Sequence, residues 1–352
     1  MSVETIAADT SPDPIVSLPL MRIGAIWGFL QMRPLRIAFS DGLSAEKPFE
    51  SRILRLLTHR IPSVAADFDE ADLLIYSDFG RRHQEFNGLK AYVTGENMVP
   101  DFAECDLAYA PMVLAGNPRS IRLPYYAQVL PHLGSLVRAD GYDPSESATR
   151  QRFCSFVASN PRGAARNRFF KLLHKRKPLV SAGRHFNTTS TPLADKLTFL
   201  RDFRFNLAFE NSSSPGYVTE KLVEPLLMGV IPIYWGADDV GNDFNPECMI
   251  DVRKFADFEQ AIGHILAVDK DPARRLAHLR ATPFHGNREP ACLGDDYLVR
   301  PILDLIASDT RPGERHYSPR RLRSHTYESQ LHQTVSSLRC RLEGTLWKLG
   351  WR

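Results

Sequence analysis

The strongest constraint in this 352-residue sequence is an alternation of short apolar runs with helical patterns that occurs twice, once on each side of a polar segment. In the first half, Leu35–Phe39 (LRIAF) predicts a strand, and an amphipathic helix follows near Glu46–His59 with Ile53, Leu54 and Leu57 on one side. Asp72–Tyr76, Ala91–Thr94 and Leu107–Tyr109 predict further strands. In the second half the strands are Phe153–Ala158, Leu179–Ser181, Phe205–Phe209, Ile231–Trp235 and Met249–Val252. Helices are expected at Ala164–Arg176, Leu193–Phe203, Thr219–Met228 and Phe258–Val268. Gly229 caps the third of these, while Pro225 inside it should kink the helix or shift its start. Strands alternating with helices argue for parallel sheets, here twice over, so the expected class is α/β with two domains across a cleft. The expected divisions are an N-terminal extension (1–34), a first domain (35–137), a linker (138–150), a second domain (151–310) and a tail (311–352).

Composition excludes more than it identifies. A hydrophobic fraction of 43% with 24% charged residues rules out wholesale disorder and a polytopic membrane protein. The net charge of +3 hides an asymmetry. Arg311–Arg352 holds nine Arg or Lys and three Asp or Glu, a net +6, so the preceding 310 residues carry −3. A mildly acidic body argues against a nucleic-acid-binding protein. Cys105, Cys154, Cys248, Cys292 and Cys340 form no C-x-x-C, which suggests neither a disulfide framework nor a zinc site. The most apolar N-terminal stretch, Ile23–Leu30, is bracketed by Arg22 and Arg33 and is far shorter than the roughly 20 residues a membrane span needs. With no signal peptide or span in view, the expected location is cytoplasmic.

Three clusters carry candidate chemistry. In Phe205–Gly236 a buried strand delivers Glu210 and Asn211 at its C-terminal end, where open α/β sheets bind ligands. The loop Ser212–Gly216 follows, and then a helix starts with Thr219, Glu220 and Lys221. Helix starts suit phosphate, and Lys221 there opposes the helix dipole, which a bound anion would explain. In Ser155–Phe170, a polar turn precedes a helix bearing Arg162, Arg166 and Arg168, any of which could hold a diphosphate. In Tyr92–Asn97, Glu96 follows a strand and could serve as general base for a hydroxyl nucleophile. For each residue taken singly, a solvated surface role is the simpler alternative.

Together, SFVASNP…RNRFF and FNLAFENSSSPGYVTEKL…GVIPIYWG resemble the α-1,3-fucosyltransferase family, in particular its bacterial branch. YVTGENMVPDF and IRLPYY are similar to that family's N-terminal domain. The resemblance implies a GT-B fold, two Rossmann-like domains facing across a cleft, with acceptor on the first and GDP-fucose on the second. It implies inverting transfer of fucose from GDP-β-L-fucose, with no essential metal or other cofactor; the acceptor does not follow from the resemblance, and a GlcNAc hydroxyl of an N-acetyllactosamine-like glycan is the expectation adopted. By the same resemblance Glu96 is the general base, Arg166 and Lys221 hold the diphosphate, Glu220 holds the ribose and Tyr217 meets the guanine. Glu210 and Asn211 match the opening pair of the donor motif. One departure concerns Ser181–Ser190, where Phe186 occupies the position of an arginine in bacterial relatives, leaving Arg184 as the candidate substitute.

Two D-x-D triplets, Asp67–Asp69 and Asp269–Asp271, lie away from the donor edge and read as solvated turn carboxylates. The tail carries an apolar stripe of Leu331, Val335, Leu338, Leu342, Leu346 and Leu349 beside its basic residues. Such a helix suits either an anionic membrane surface or docking on the protein's own core or a second copy.

Overall fold

A computed structural model describes residues 33–112, 114–129, 133–189 and 193–308; residues 1–32 and the tail expected at 311–352 lie outside the described residues. The first sheet contains β1 (Leu35–Ser40), β2 (Ser63–Ala65), β3 (Leu73–Tyr76), β4 (Leu89–Val93), β5 (Leu107–Ala110) and β6 (Ser120–Arg122). Its order is β2-β1-β3-β4-β5-β6, with every pairing parallel. The second contains β7 (Arg152–Phe156), β8 (Val180–Ser181), β9 (Phe203–Phe209), β10 (Ile231–Trp235) and β11 (Ile250–Asp251). Its order is β11-β10-β9-β7-β8, also wholly parallel. Parallel strands need crossovers that cover both faces of a sheet, so their residues are apolar without alternation. Accordingly β3, β4, β5 and β10 are buried at every position.

The helices are α1 (Pro48–Thr58), α2 (Tyr125–Val129), α3 (Ser145–Ala148), α4 (Ala164–Arg176), α5 (Lys196–Arg201), α6 (Glu220–Leu227), α7 (Phe258–Lys270), α8 (Pro272–Arg280) and α9 (Asp295–Ser308). Helix α4 has the bounds its periodicity predicts, whereas α5 is shorter than expected because Phe203 already begins β9. Helix α6 runs through Pro225 rather than starting there. It ends two residues later at a glycine turn. Gly229 takes φ +61°, its N–H donates to Leu226 O at 3.1 Å, and Val230 N–H donates to Pro225 O at 2.8 Å.

The chain does not finish on the second sheet. Helix α9 crosses back onto α1 and β5. There Leu298, Val299 and Ile302 share a core with Leu35, Ile37 and Ile53. Tyr109 Oη donates to Leu298 O at 2.6 Å, and Arg52 reaches Leu293 O at 2.7 Å. A second tie fixes the two sheets directly. Arg122, at the end of β6, forms a two-pronged ion pair with Asp243 at 3.0 and 2.6 Å, and Tyr126 Oη donates to the same carboxylate at 2.9 Å.

One expectation is overturned. Asp67 and Asp69 are exposed, but Asp269 is not a solvated turn residue. It is 6% exposed and is gripped by Lys177 at 2.5 Å and Arg204 at 2.9 Å. Asp271 accepts from the N–H groups of Ala273 and Arg274 and caps α8. The four described cysteines are buried free thiols.

Asp243→Ala strands the guanidinium of Arg122 between the two sheets. It should lower unfolding free energy by about 3–5 kcal/mol, the usual loss when one partner of a buried pair is removed, as measured by urea denaturation.

Candidate active site

The carboxyl ends of β9 and β10 gather most of the residues singled out from the sequence. Strand β9 stops at Phe209 and delivers Glu210 into a fully buried position, 0% exposed. An isolated carboxylate there would be prohibitively costly. Its oxygens accept from the Thr219 N–H at 2.8 Å and from the Thr219 hydroxyl at 2.9 and 2.8 Å, and Lys221 Nζ lies 3.4 Å away. Thr219 is also the N-cap of α6, accepting from Lys221 N at 3.3 Å. Glu210 therefore acts on the site through Thr219 and Lys221.

The charges around it are interdependent. Burial drives the Glu210 carboxyl above its usual range, with Lys221 opposing that shift. Burial also works against the Lys221 ammonium, yet Glu210 and Glu220 more than offset it and hold its pKa raised. For Glu220, burial is outweighed by Lys221, 3.2 Å away, and by Lys196, so its carboxyl is lowered. The placement of Lys221 against the helix dipole thus has a local explanation that sequence alone did not supply: two carboxylates bracket it.

Arg166 is different. On α4 it is 1% exposed, and the carboxylate that acts on it, Glu210, does so through space and not by a hydrogen bond. One terminal nitrogen donates to Asn211 Oδ1 at 2.5 Å, the other reaches the carbonyls of Asn160 and Arg162, and Nε has no partner. Burial presses its pKa down, but a guanidinium stays charged in proteins. A buried guanidinium whose hydrogen bonds, among the described residues, go to one amide and two carbonyls, with Glu210 acting on it only through space, can accept an anion. Beside it is a small recess whose lining includes Phe156, Phe209 and three cations: Arg166, Lys221 and Lys196.

Lys196 is the functional candidate that sequence reasoning missed. It opens α5, just after the N-cap Asp195, and pairs with Glu224. No spacing or motif marks it. The anticipated substitute, Arg184, is exposed and does not line the recess. Phe186 is taken up in packing, stacked on Phe170 at 4.6 Å.

Tyr217 is buried on the loop leading into α6, its hydroxyl raised by burial and then by Glu210. Glu96 comes from the other sheet, on an exposed turn after β4. Its charge is felt across the cleft: after burial and Glu210, Glu96 also raises the hydroxyl of Tyr217. The structure thus brings Arg166, Tyr217, Glu220, Lys221, Glu210 and Asn211 to one sheet edge and sets Glu96 on the facing one. Among the described residues no cluster of three or more His, Cys, Asp or Glu could hold a metal ion, and no helix is long and apolar enough to cross a membrane.

A cation-rich recess at the carboxyl edge of a parallel sheet is where α/β proteins take phosphorylated ligands, and two parallel-sheet domains across a cleft are the arrangement of the GT-B glycosyltransferases. Residues 37–129 match the model of the α-(1,3)-fucosyltransferase FucT N-terminal domain, and residues 147–282 match that of the glycosyltransferase family 10 (fucosyltransferase) C-terminal part. The chain is 30% identical over 271 residues to the α-(1,3)-fucosyltransferase FucT of Helicobacter pylori, a match covering 66% of this chain. It spans 56% of the length of that relative. A crystal structure of an α1,3-fucosyltransferase superposes with TM-score 0.65 at 27% identity, covering 79% of this chain and 91% of that one. A second, with GDP-fucose, gives TM-score 0.65 at 25% identity over 89% and 96%. The chain belongs to the α-1,3-fucosyltransferase family.

The coupling between Glu210 and Lys221 is testable by stability alone. Lys221→Met should cost about 3–5 kcal/mol by leaving buried Glu210 unpaired. Lys221→Met with Glu210→Gln should recover a large part of the loss in thermal denaturation. Additive losses would show that the two side chains are not a pair.

Proposed function

We propose that the protein is an inverting α-1,3(/4)-fucosyltransferase that moves L-fucose from GDP-β-L-fucose to a GlcNAc hydroxyl of an N-acetyllactosamine-like glycan, such as a lipopolysaccharide or O-antigen precursor. The observation that carries this reading is the buried guanidinium of Arg166, hydrogen-bonded to neutral groups, beside a recess it shares with Lys196 and Lys221. A nucleoside diphosphate would match these three cations. Glu220 then takes the ribose hydroxyls and Tyr217 meets the base.

As the acceptor oxygen attacks fucose C1, the bond from C1 to the β-phosphate oxygen breaks and its electron pair leaves with GDP. Negative charge grows on the diphosphate, and cations fixed in advance stabilise it without reorganising. The acceptor proton passes to Glu96, whose exposed carboxylate sits on the facing edge. Attack from the face opposite the leaving group converts the β-linked donor into an α-linked product.

The basic tail (311–352), with its net +6, fits attachment to an anionic membrane surface on the cytoplasmic side. Full-length protein should sediment with anionic vesicles and a 1–310 form should not; equal binding would remove that role.

GDP-fucose should raise the melting temperature and support transfer on a glycan array, whereas stabilisation by UDP-sugars alone would overturn the donor assignment. GDP binding without any transfer would mark a non-catalytic glycan-binding relative. Glu96→Gln should abolish transfer while leaving donor affinity within about threefold, because the base contributes to the transition state and not to ground-state binding. Arg166→Ala should weaken GDP binding by about 1.5–3 kcal/mol, the value of a charged hydrogen bond, by calorimetry.

A further inference from the structure

The turn bearing Glu96 is tied down on the backbone on both sides of that residue. Thr94 Oγ1 donates to Asp78 and accepts from the Glu96 N–H at 3.0 Å, and Met98 N–H donates to Glu96 O at 2.8 Å. Gln128 holds the Thr94 carbonyl at 2.8 Å. All of these partners belong to the first sheet and its helices. The neighbouring side chain does something else. Asn97 Nδ2 crosses the cleft and donates to Ser212 Oγ and Ser214 Oγ, each at 2.9 Å.

The orientation of that amide follows from its surroundings. The Ser214 hydroxyl spends its hydrogen on Ser213 O at 2.9 Å. Its oxygen can therefore only accept from Asn97, which places the NH2 group toward the serines. Asn97 Oδ1 is buried and has no partner among the described residues. A side chain kept for packing alone would not strand a buried acceptor, since an apolar residue of similar shape would avoid the cost.

The serine loop is itself anchored to the donor-side edge. Ser213 Oγ donates to Gly236 O at 2.7 Å and accepts from Arg253 Nη1 at 2.5 Å. Tyr217 N–H donates to Ser214 O at 3.1 Å. One amide thus joins the residue after Glu96 to the loop that leads into Tyr217, Thr219 and Lys221.

We propose that Asn97, through Ser212 and Ser214, is an interdomain latch: a positioning residue that holds the Glu96 turn in register with the donor pocket. The catalytic part of this inference rests on the fucosyl-transfer reading; the latch itself does not. Two hydrogen bonds spanning a cleft fix the separation of two loops more tightly than the covalent path between them, which runs through the linker and a whole sheet. Glu96 must meet the acceptor hydroxyl within hydrogen-bond reach, so a slackened turn lowers turnover before it touches donor affinity.

Ligand-free hydrogen–deuterium exchange tests the latch without assuming any substrate. Asn97→Ala should speed exchange in both 94–98 and 212–217; faster exchange in one segment only, or in neither, would sink it. Steady-state kinetics with GDP-fucose then test its purpose. Asn97→Ala should lower kcat by about ten- to thirtyfold, the size of two neutral hydrogen bonds, with donor KM within about threefold. Ser212→Ala/Ser214→Ala should do the same, and the triple variant should be no worse, because the changes remove one shared interaction. A kcat within about twofold of the wild type, or losses that multiply, would overturn the positioning role. If the wild-type protein transfers no fucose, the functional reading fails while the exchange result still decides the latch.

Discussion

The arrangement at the carboxyl edge of the second sheet depends on keeping one carboxylate, that of Glu210, completely out of water. Such a group is tolerated only where its charge and lone pairs are matched. Thr219 supplies two donors and thereby becomes the cap that starts α6; Lys221 supplies the charge from the first turn of the same helix. The backbone must also stand aside. A Cβ on Gly236 would lie 2.6 Å from Glu210 Cγ, so β10 can end beside the carboxylate only with glycine there. Helix start, cation and strand end are all consequences of one buried charge, and together they fix where an anionic ligand can sit.

A site divided between two sheets also needs a fixed relation between them, and polar groups supply it at two places. Arg122 and Tyr126 converge on Asp243 deep in the interface, where the surrounding apolar residues strengthen each contact. The inner face of α6, with Leu222, Val223 and Leu226, belongs to the same buried cluster as the first sheet. The helix that presents Lys221 to the recess is therefore also part of the wall between domains. Nearer the surface, Asn97 reaches the serine loop. Rigid burial below and a small polar contact above suit a cleft that has to admit a substrate without losing its geometry.

How much of this was legible depended on the kind of signal. The strands and α4 were readable because continuous apolar runs and a 3.6-residue stripe are local properties. Strands β2 and β6 were not, since each has only three residues, most of them at least partly exposed, and neither forms an apolar run. Nor was α9 anticipated, although its burial against α1 is extensive, because its partners are some 240 residues earlier in the chain. Among site residues, Glu96, Arg166, Tyr217, Glu220 and Lys221 stood in recognisable motifs. Lys196 stood in none, and Asp269 had the sequence context of a solvated turn while being enclosed by Lys177 and Arg204.

By itself the sequence determined the two parallel-sheet domains, most of their longer strands and helices, and the family to which the motifs belong, because each is written in short-range pattern. Tertiary structure alone decided which charges are compensated. Only the folded chain shows that Lys221 is bracketed by two carboxylates, that Arg166 is buried on neutral hydrogen-bond partners, and that Lys196 rather than Arg184 faces the recess. The reason is the range of the interactions. Backbone periodicity is set by neighbours along the chain, whereas the state of a buried charge is set by groups that approach it from distant segments, and its energy depends on how completely they exclude water.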